Sequence, residues 1–179
     1  MKIARTIVFV LSLATLVWAV EVTATHGTIT KIDRGAKTIA IKTADGTEHV
    51  LHWTKDTAVD GTRAIDAGAQ DSWHGLKEGT EVVAHSTKRG SEDTALEVDK
   101  VGDNGLDKTE GTVKEIDRSG KKLVVESADG TEHTFTLTGH AAADAGNDLQ
   151  AGTAKGAKVV VYSTKTGGKK VAHFFEKIR

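Results

Sequence analysis

Histidine is the residue type in this sequence that is best suited to bind a metal ion, because neutral imidazole is a ligand for most transition metals. The chain has eight histidines: His26, His49, His52, His74, His85, His133, His140 and His173. His49 and His52 are three positions apart, a spacing that suits a helix but puts the two rings on opposite faces of a strand. We expect a strand here, so this pair cannot share an ion.

Two of the histidines occupy matching positions in a repeated hexapeptide. Ala-Asp-Gly-Thr-Glu-His occurs at 44–49 and again at 128–133, so His49 corresponds to His133. These are the two candidates for metal ligands, because a site could be assembled between the copies. The simpler interpretation is that each histidine caps the end of a small barrel. The sequence therefore predicts no metal site and no cofactor.

Other residue patterns also argue against catalysis. Asp103, Asn104, Asp107 and Glu110 form an oxygen-rich stretch, but the 12-residue spacing of a calcium loop is absent. We interpret this stretch as a solvated linker. The chain has no cysteine, which excludes disulfides, thiolate metal sites and cysteine nucleophiles. It also has no Gly-x-Ser-x-Gly nucleophile motif, no phosphate-binding loop and no dinucleotide-binding loop.

These absences predict a protein with no catalytic residues. The favoured function is a non-catalytic exported envelope protein, a two-barrel binding or assembly module. The alternative is a metal-dependent or hydrolytic periplasmic enzyme. The expected partner is an envelope protein or a small ligand of unidentified chemistry.

Charge and aromatic content argue against nucleic acid as a partner. The sequence has 24 Lys+Arg and 25 Asp+Glu, and removal of Lys2 and Arg5 with a leader would leave 22 against 25, a net charge of −3. Binding to single-stranded nucleic acid needs a basic groove and stacking aromatics. Aromatic residues are only 4% of the chain, so we expect no nucleic-acid binding.

Residues 1–19 are typical of a secretory signal peptide. Lys2 and Arg5 precede an apolar run, Ile7–Trp18, that is short for a membrane span. Val17-Trp18-Ala19 places small residues where a signal peptidase would need them. We expect cleavage before Val20, export to the bacterial periplasm or outside the cell, and no membrane span afterwards. The alternative is an uncleaved anchor.

The rest of the chain is a tandem duplication. Residues 27–53 align without gaps on 111–137 with 12 identities in 27 pairs. The repeat divides the chain into a first β-barrel module at 22–102, a linker at 103–110 and a second module at 111–179. Each module has about 75 residues and a marginal core, so we expect the two modules to pack together.

Each copy has the pattern of five short strands. In the first copy these are Gly27–Ile32, Lys37–Thr43, Thr47–Trp53, Thr80–Ser86 and Ala95–Val101. Asp45-Gly46 and its repeat, Asp129-Gly130, predict type I′ hairpin turns. The Ala-rich pieces Ala64–Ala69 and Ala141–Ala145 could form a short helix between strands three and four.

This order predicts an all-β fold, with two tandem five-stranded small barrels of OB type. An SH3-like barrel and an open antiparallel sheet are the alternatives. The repeated motif is Gly-x-(Ile/Val)-x-x-Ile-Asp, an Asp-Gly hairpin, Leu-x-x-Gly and a Val-rich strand. It resembles a bacterial family of secreted tandem-repeat domains of unknown function that are OB-like in fold. The resemblance implies a fold and no site residues.

The largest difference between the copies lies between strands three and four. Thr54–Glu78 has seven more residues than Thr138–Lys155, and the excess contains Trp73 and His74. A Trp in such a loop either folds back as a plug on the barrel or anchors a partner. Trp73 and His74 are therefore the candidate partner-binding residues.

Overall fold

The computed structural model describes residues 21–59, 62–63, 76–117, 119–142 and 155–178. Three expectations lie outside these residues: the signal peptide at 1–19, the partner-binding candidates Trp73 and His74, and the helix at Ala64–Ala69.

The first module is a five-stranded barrel with a small added hairpin. Its strands are β1 (Val22–Asp33), β2 (Thr38–Lys42), β3 (Glu48–His52), β4 (Ala58–Val59), β5 (Thr62–Arg63), β6 (Glu81–Arg89) and β7 (Glu92–Lys100). The strand order is β3-β2-β1-β6-β7, and a parallel pairing of His52 with Thr94 brings β3 against β7. This pairing closes the barrel, while β4 and β5 extend it beyond β7.

The second module repeats this connectivity in a closed barrel. Its strands are β8 (Asp107–Asp117), β9 (Lys122–Glu126), β10 (Glu132–Leu137), β11 (Lys158–Thr166) and β12 (Lys169–Lys177). They follow the order β10-β12-β11-β8-β9, with β10 parallel to β12. The predicted fold of two five-stranded OB-like barrels is confirmed, and neither alternative fits this closed order.

Alternating side chains explain why these segments become strands around a core. On β10, Phe135 and Leu137 are buried, whereas Glu132, Thr134 and Thr136 are exposed. The first barrel core is formed by Ile29, Ile39, Ile41, Leu51, Val59, Leu76, Val82, Ala84, Ala95 and Val98. The second is formed by Val113, Leu123, Val125, Phe135, Leu137, Ala141, Ala157, Val159, Val161, Ala172 and Phe175.

The two Asp-Gly turns are not of type I′, so that prediction is wrong. Gly46 has a φ of 89°, but Asp45 is not among the residues with positive φ. The amide of Gly46 donates to the carbonyl of Thr43 at 2.9 Å, and Asp45 Oδ1 accepts from the amide of Thr47 at 3.0 Å. This is a three-residue loop that ends in a left-handed glycine. The Asp side chain stabilises it by bonding the backbone two residues on.

The segment predicted as a solvated linker is shorter and more ordered than expected. β8 already begins at Asp107, and Leu106 is buried at 2% exposure. The amide of Leu106 donates to the carbonyl of Lys100 at 2.7 Å, which fixes a tight turn between the barrels. Burial of Leu106 is the physical reason, because an apolar side chain in the middle of the segment gains from contact with both modules.

The connection between strands three and four of the second module contains helix. Residues 139–142 are helical, and they overlap the predicted segment Ala141–Ala145. In the part of the chain that the structure describes, no helix is long and apolar enough to cross a membrane.

The two barrels pack against each other, as the small size of each core led us to expect. An apolar cluster joins Val83, Val101 and Leu106 to Tyr162 and Phe174 of the second barrel. The rings of Tyr162 and Phe174 stack with centroids 5.6 Å apart. Polar side chains flank this apolar cluster and bridge the two barrels.

Candidate functional site

The two histidines singled out by the repeat lie in different barrels. His49 is half-buried on β3. His133 lies 2.8 Å from Ser127 Oγ through Nε2, and its Nδ1 accepts from Lys170 Nζ at 3.0 Å. Among the described residues, neither histidine belongs to a group of side chains that could hold a metal ion.

Three other histidines meet two carboxylates between the barrels. His85 on β6 and Glu97 and Asp99 on β7 come from the first barrel, and His140 and His173 come from the second. We call these five residues the inter-barrel cluster. Their ligand atoms form two overlapping groups, and within each group all of these atoms lie within 4.8 Å of one another.

Strand alternation places His85 and Glu97 on the outer face of the first barrel. Val82 and Ala84 of β6 point into the barrel core, so His85 points outward. His85 pairs directly with Glu97 across the two strands. Asp99 lies two residues beyond Glu97, on the same face of β7.

A β-bulge turns His173 towards the first barrel. On β11, Tyr162 pairs with Phe174 and the next residue, Ser163, pairs with Ala172, which leaves His173 as the extra residue. A bulge redirects a side chain that strict alternation would place elsewhere. His173 reaches Asp99, with Nδ1 3.0 Å from Oδ2.

The helical turn at 139–142 presents His140. Thr138 Oγ1 accepts from the amide of Ala141 at 3.1 Å, which is the hydrogen bond of a helix N-cap. Ala141 is buried in the second barrel core and anchors the turn. His140 Nδ1 then lies 3.0 Å from Glu97 Oε2.

His85 differs from the rest of the cluster because neither of its ring nitrogens has a hydrogen-bond partner among the described residues. The side chain is fully buried, at 0% exposure. Its ring centroid is 5.5 Å from that of His140. Buried polar atoms are nearly always hydrogen-bonded, so a buried imidazole without a protein partner in a polar cluster is a position where a ligand could bind.

Burial also keeps His85 uncharged. Desolvation lowers the pKa of His85 to about 4, so the ring is neutral at pH 7 and retains a lone pair. Burial alone would raise the pKa of Glu97, but hydrogen bonds from His140 and His173 outweigh it and hold the pKa well below its usual range. Glu97 is therefore ionised next to a neutral imidazole.

The other two imidazoles respond to the same carboxylates. The hydrogen bond to Glu97 raises the pKa of His140. Burial opposes protonation of His173, but the bonds to Asp99 and Glu97 outweigh it and raise its pKa to about 9. His173 Nε2 also lies 3.1 Å from Thr164 Oγ1, which orients the ring.

The inter-barrel cluster can be reached from solvent. His140 has 38% of its side chain exposed. A surface cavity of about 350 Å³ is lined by Asp99, His173, Thr164 and Asn104, among others. A small ion could enter without separating the barrels.

A second polar group, which we call the His26 cluster, bridges the barrels elsewhere. His26 Nε2 lies 2.8 Å from Glu81 Oε1, and its Nδ1 lies 3.2 Å from Glu176 Oε1. Tyr162 donates to Glu176 at 2.7 Å, and Lys108 donates to Glu81 at 2.7 Å. Every charged group of this cluster has a partner, so the cluster stabilises the contact between the barrels.

Comparing the two copies would have pointed to the inter-barrel cluster. The last two strands match at an offset of 77, so His85 corresponds to Tyr162 and Glu97 to Phe174. These are outward-facing positions where one copy is polar and the other aromatic. A comparison of the two copies that is confined to the loops between strands misses these strand positions.

No family model matches the chain, and no curated protein matches it. Solved structures similar to part of it include silver(I)-bound CusF, at 17% identity and a TM-score of 0.32 over 43% of this chain and 93% of that chain. Apo-CusF residues 6–88 from Escherichia coli is 15% identical with a TM-score of 0.34, over 49% of this chain and 93% of that chain. The cluster residues are identified from the geometry of this chain alone.

Proposed function

We propose that this protein is a non-catalytic exported binding module that holds a transition-metal ion between its two barrels. His85, Glu97 and His140 are the ligands. The ligands come from both modules, so only the assembled pair of barrels forms the site. The leader-like residues 1–19 support export.

The observation that carries the proposal is the environment of His85. Its two ring nitrogens are buried without partners among the described residues, and one of them lies within 4.8 Å of ligand atoms of Glu97 and His140. Leaving a buried polar group unpaired costs about 1–3 kcal/mol. An ion bound by one of these nitrogens would offset that cost, because the neutral ring offers a lone pair.

The donor set favours a particular class of ion. Two imidazoles and one carboxylate suit Zn²⁺, Cu²⁺, Ni²⁺ or Fe²⁺, whereas Ca²⁺ and Mg²⁺ prefer oxygen ligands alone. The chain has no cysteine and only one methionine, which excludes a site dominated by sulfur ligands. We therefore expect zinc-like divalent ions to bind in preference to Ca²⁺.

Calorimetric titration with Zn²⁺ at pH 7 tests the proposal. The purified protein should give saturable binding, and Ca²⁺ should give none. His140→Ala should weaken the affinity for the ion at least about tenfold, since a ligand is lost. Glu97→Gln, which keeps the shape of the side chain, should have a similar effect.

His49→Ala is the matched control for this titration. It removes a half-buried histidine of the first barrel that lies outside the cluster, so binding should not change. Absence of saturable Zn²⁺ binding, or wild-type binding by His140→Ala and Glu97→Gln together, would contradict the proposal.

A metal-dependent hydrolase is the second candidate function, and the number of protein ligands supports it. Three protein ligands of the His, His, carboxylate type leave a fourth position open, which is the arrangement of catalytic zinc sites. Turnover of activated ester or phosphate substrates by the Zn²⁺-loaded protein, lost in His140→Ala, would support this function over simple binding.

A further inference from the structure

Glu97 belongs to both halves of the inter-barrel cluster and offers a different oxygen to each. Its Oε2 lies 3.0 Å from Nδ1 of His140, and its Oε1 lies 3.5 Å from Nδ1 of His173. The carboxylate therefore lies between the two groups, with one oxygen directed towards each of them.

The group formed by Glu97, Asp99 and His173 has the make-up of a second ion position. Asp99 is 1% exposed and His173 is 9% exposed, so both side chains are held in place by their surroundings. His173 Nδ1 lies 3.0 Å from Asp99 Oδ2, so the two side chains converge on the same region as Glu97 Oε1. Each residue offers one ligand atom within 4.8 Å of the others.

Access supports a second position too. The cavity of about 350 Å³ opens on Asp99 and His173, whereas the first position is reached past the exposed edge of His140. Each position therefore has at least one ligand at the solvent-exposed surface or at the surface cavity.

From this arrangement we propose that the inter-barrel cluster is a dinuclear site bridged by the Glu97 carboxylate. The first ion takes His85, His140 and Glu97 Oε2, and the second takes Glu97 Oε1, Asp99 and His173, with release of the proton that His173 shares with Asp99. This inference rests on the proposed function, because the first position is the site proposed above. It adds a second ion, its ligands and the bridging role of Glu97.

The ligand types predict unequal positions. The first has two imidazoles and one carboxylate oxygen, whereas the second has one imidazole and two carboxylate oxygens. Nitrogen-rich sites bind Zn²⁺ and Cu²⁺ better, and oxygen-rich sites suit harder ions such as Mn²⁺. Zn²⁺ should therefore bind in two steps, with the tighter step at His85 and His140.

The test is Zn²⁺ titration together with metal analysis of the loaded protein. Both measurements compare the wild type with Asp99→Asn, which keeps nearly the same side-chain shape. The wild-type protein should bind two ions. Asp99→Asn should bind one, with the tight step unchanged and the weak step reduced at least about tenfold. Circular dichroism should show that Asp99→Asn is folded. If Asp99→Asn does not fold, His173→Gln replaces it and should likewise bind one ion with the tight step unchanged.

A spectroscopic readout separates a bridged pair from two unrelated sites. Loaded with two Cu²⁺ ions, the wild-type protein should show magnetic coupling in its paramagnetic resonance spectrum, and Asp99→Asn should show one uncoupled ion. One ion per chain with wild-type binding by Asp99→Asn would overturn the dinuclear inference and leave the proposed function standing. No saturable binding at all would overturn both.

Discussion

At the level of single residues, His85 shows a conflict between stability and binding. Its partnerless ring nitrogens reduce the stability of the metal-free fold, and no neighbour in the described chain compensates for them. Proteins keep such unfavourable groups where function requires them. The same feature that makes His85 a ligand should therefore make it dispensable for folding.

Replacing His85 with Leu should raise the stability of the metal-free protein. The substitution removes two unsatisfied nitrogens and keeps an apolar side chain of comparable size, for a gain of up to about 1–3 kcal/mol. It should also reduce the rise in melting temperature on adding Zn²⁺ by the part due to the tighter ion, since a ligand that binds only the folded state stabilises it. Thermal melts with and without Zn²⁺ measure both effects.

His173→Leu is the contrasting variant. His173 is bonded to Asp99 at 3.0 Å and both are buried, so the change breaks a buried ion pair. Loss of one partner of such a pair costs about 3–5 kcal/mol. A metal-free melting temperature that falls equally in both variants would show that His85 is satisfied after all.

Gly46 and Gly130 each hold a left-handed conformation at the hairpin turns, with φ of 89° and 80°. A Cβ at either position would meet nothing within 4 Å, so the cost of a side chain there is backbone strain alone. Gly46→Ala should lower the stability by about 1–2 kcal/mol. Denaturant unfolding measures this difference.

Gly35→Ala serves as the control for this turn, because Gly35 has no positive φ and its Cβ would meet only Asp33 Oδ1, at 3.5 Å. It should change stability little. Equal effects at the two positions would remove backbone strain as the explanation.

At the level of strands and turns, the regular parts of the fold were predictable from the sequence and the site was not. Period-two alternation is a local property, so it identified β3 and β10 and the faces they bury. Strict alternation would group His173 with Phe175, which points into the second barrel core. The bulge in β12 breaks that alternation, and its position cannot be read from one sequence.

The inter-barrel cluster also depends on which outer faces meet. Nothing in the local pattern of β6 or β7 specifies that His140, in a turn of the other barrel, packs against Glu97. Packing between modules is a long-range property, set by Leu106 and the apolar cluster around it. The turn type was also mistaken, because the Asp side chain bonds the backbone and stabilises a different loop.

Thr138 is a positioning residue for His140, since its side chain caps the helical turn that carries the ligand. Thr138→Ala should cost about 1 kcal/mol of stability through loss of the cap. It should also weaken Zn²⁺ binding several-fold, because the turn is less well fixed. Titration calorimetry on Thr138→Ala and Thr138→Ser measures the effect.

Thr138→Ser keeps the capping hydroxyl and should restore binding to the wild-type level. If the Ser variant binds as weakly as the Ala variant, the hydroxyl does not position His140.

At the level of the whole molecule, the two barrels form one unit through the apolar cluster and the two polar clusters beside it. The His26 cluster makes this association pH-dependent. His26 on β1 is faced by Glu81 on β6, Glu176 on β12, Tyr162 on β11 and, through Glu81, Lys108 on β8. Burial opposes its protonation, but the bonds to Glu176 and Glu81 outweigh it and raise the pKa of His26.

The sign of the pH effect follows from these shifts. Because folding raises the pKa of His26, protonated His26 stabilises the fold fully below pH 6.5, its ordinary pKa. This stabilisation is lost as the pH rises through the raised pKa. The pKa values of Glu81 and Glu176 are lowered from 4.5, so their contribution is present above that pH and is lost as the pH falls through the lowered values. The His26 cluster therefore stabilises the contact between the barrels most strongly between about pH 4.5 and 6.5.

His26→Gln should accordingly lower the melting temperature of the metal-free protein most between about pH 4.5 and 6.5, and least at high pH. Melting curves across this range, with the wild type in parallel, provide the comparison. His52→Gln is the control, because His52 lies 3.8 Å from an exposed Glu92 and such surface pairs contribute little. A difference in melting temperature between His26→Gln and the wild type that does not change with pH would show that protonation of His26 does not stabilise the contact between the barrels.

We propose above that an ion binds between the two barrels through ligands from both. Anomalous diffraction from crystals of the full protein grown with Zn²⁺ tests it most directly. We expect an anomalous peak about 2.0–2.2 Å from a ring nitrogen of His85, a ring nitrogen of His140 and an oxygen of Glu97. A zinc peak bound by residues of one barrel alone, or no peak near His85 at saturating Zn²⁺, would contradict it.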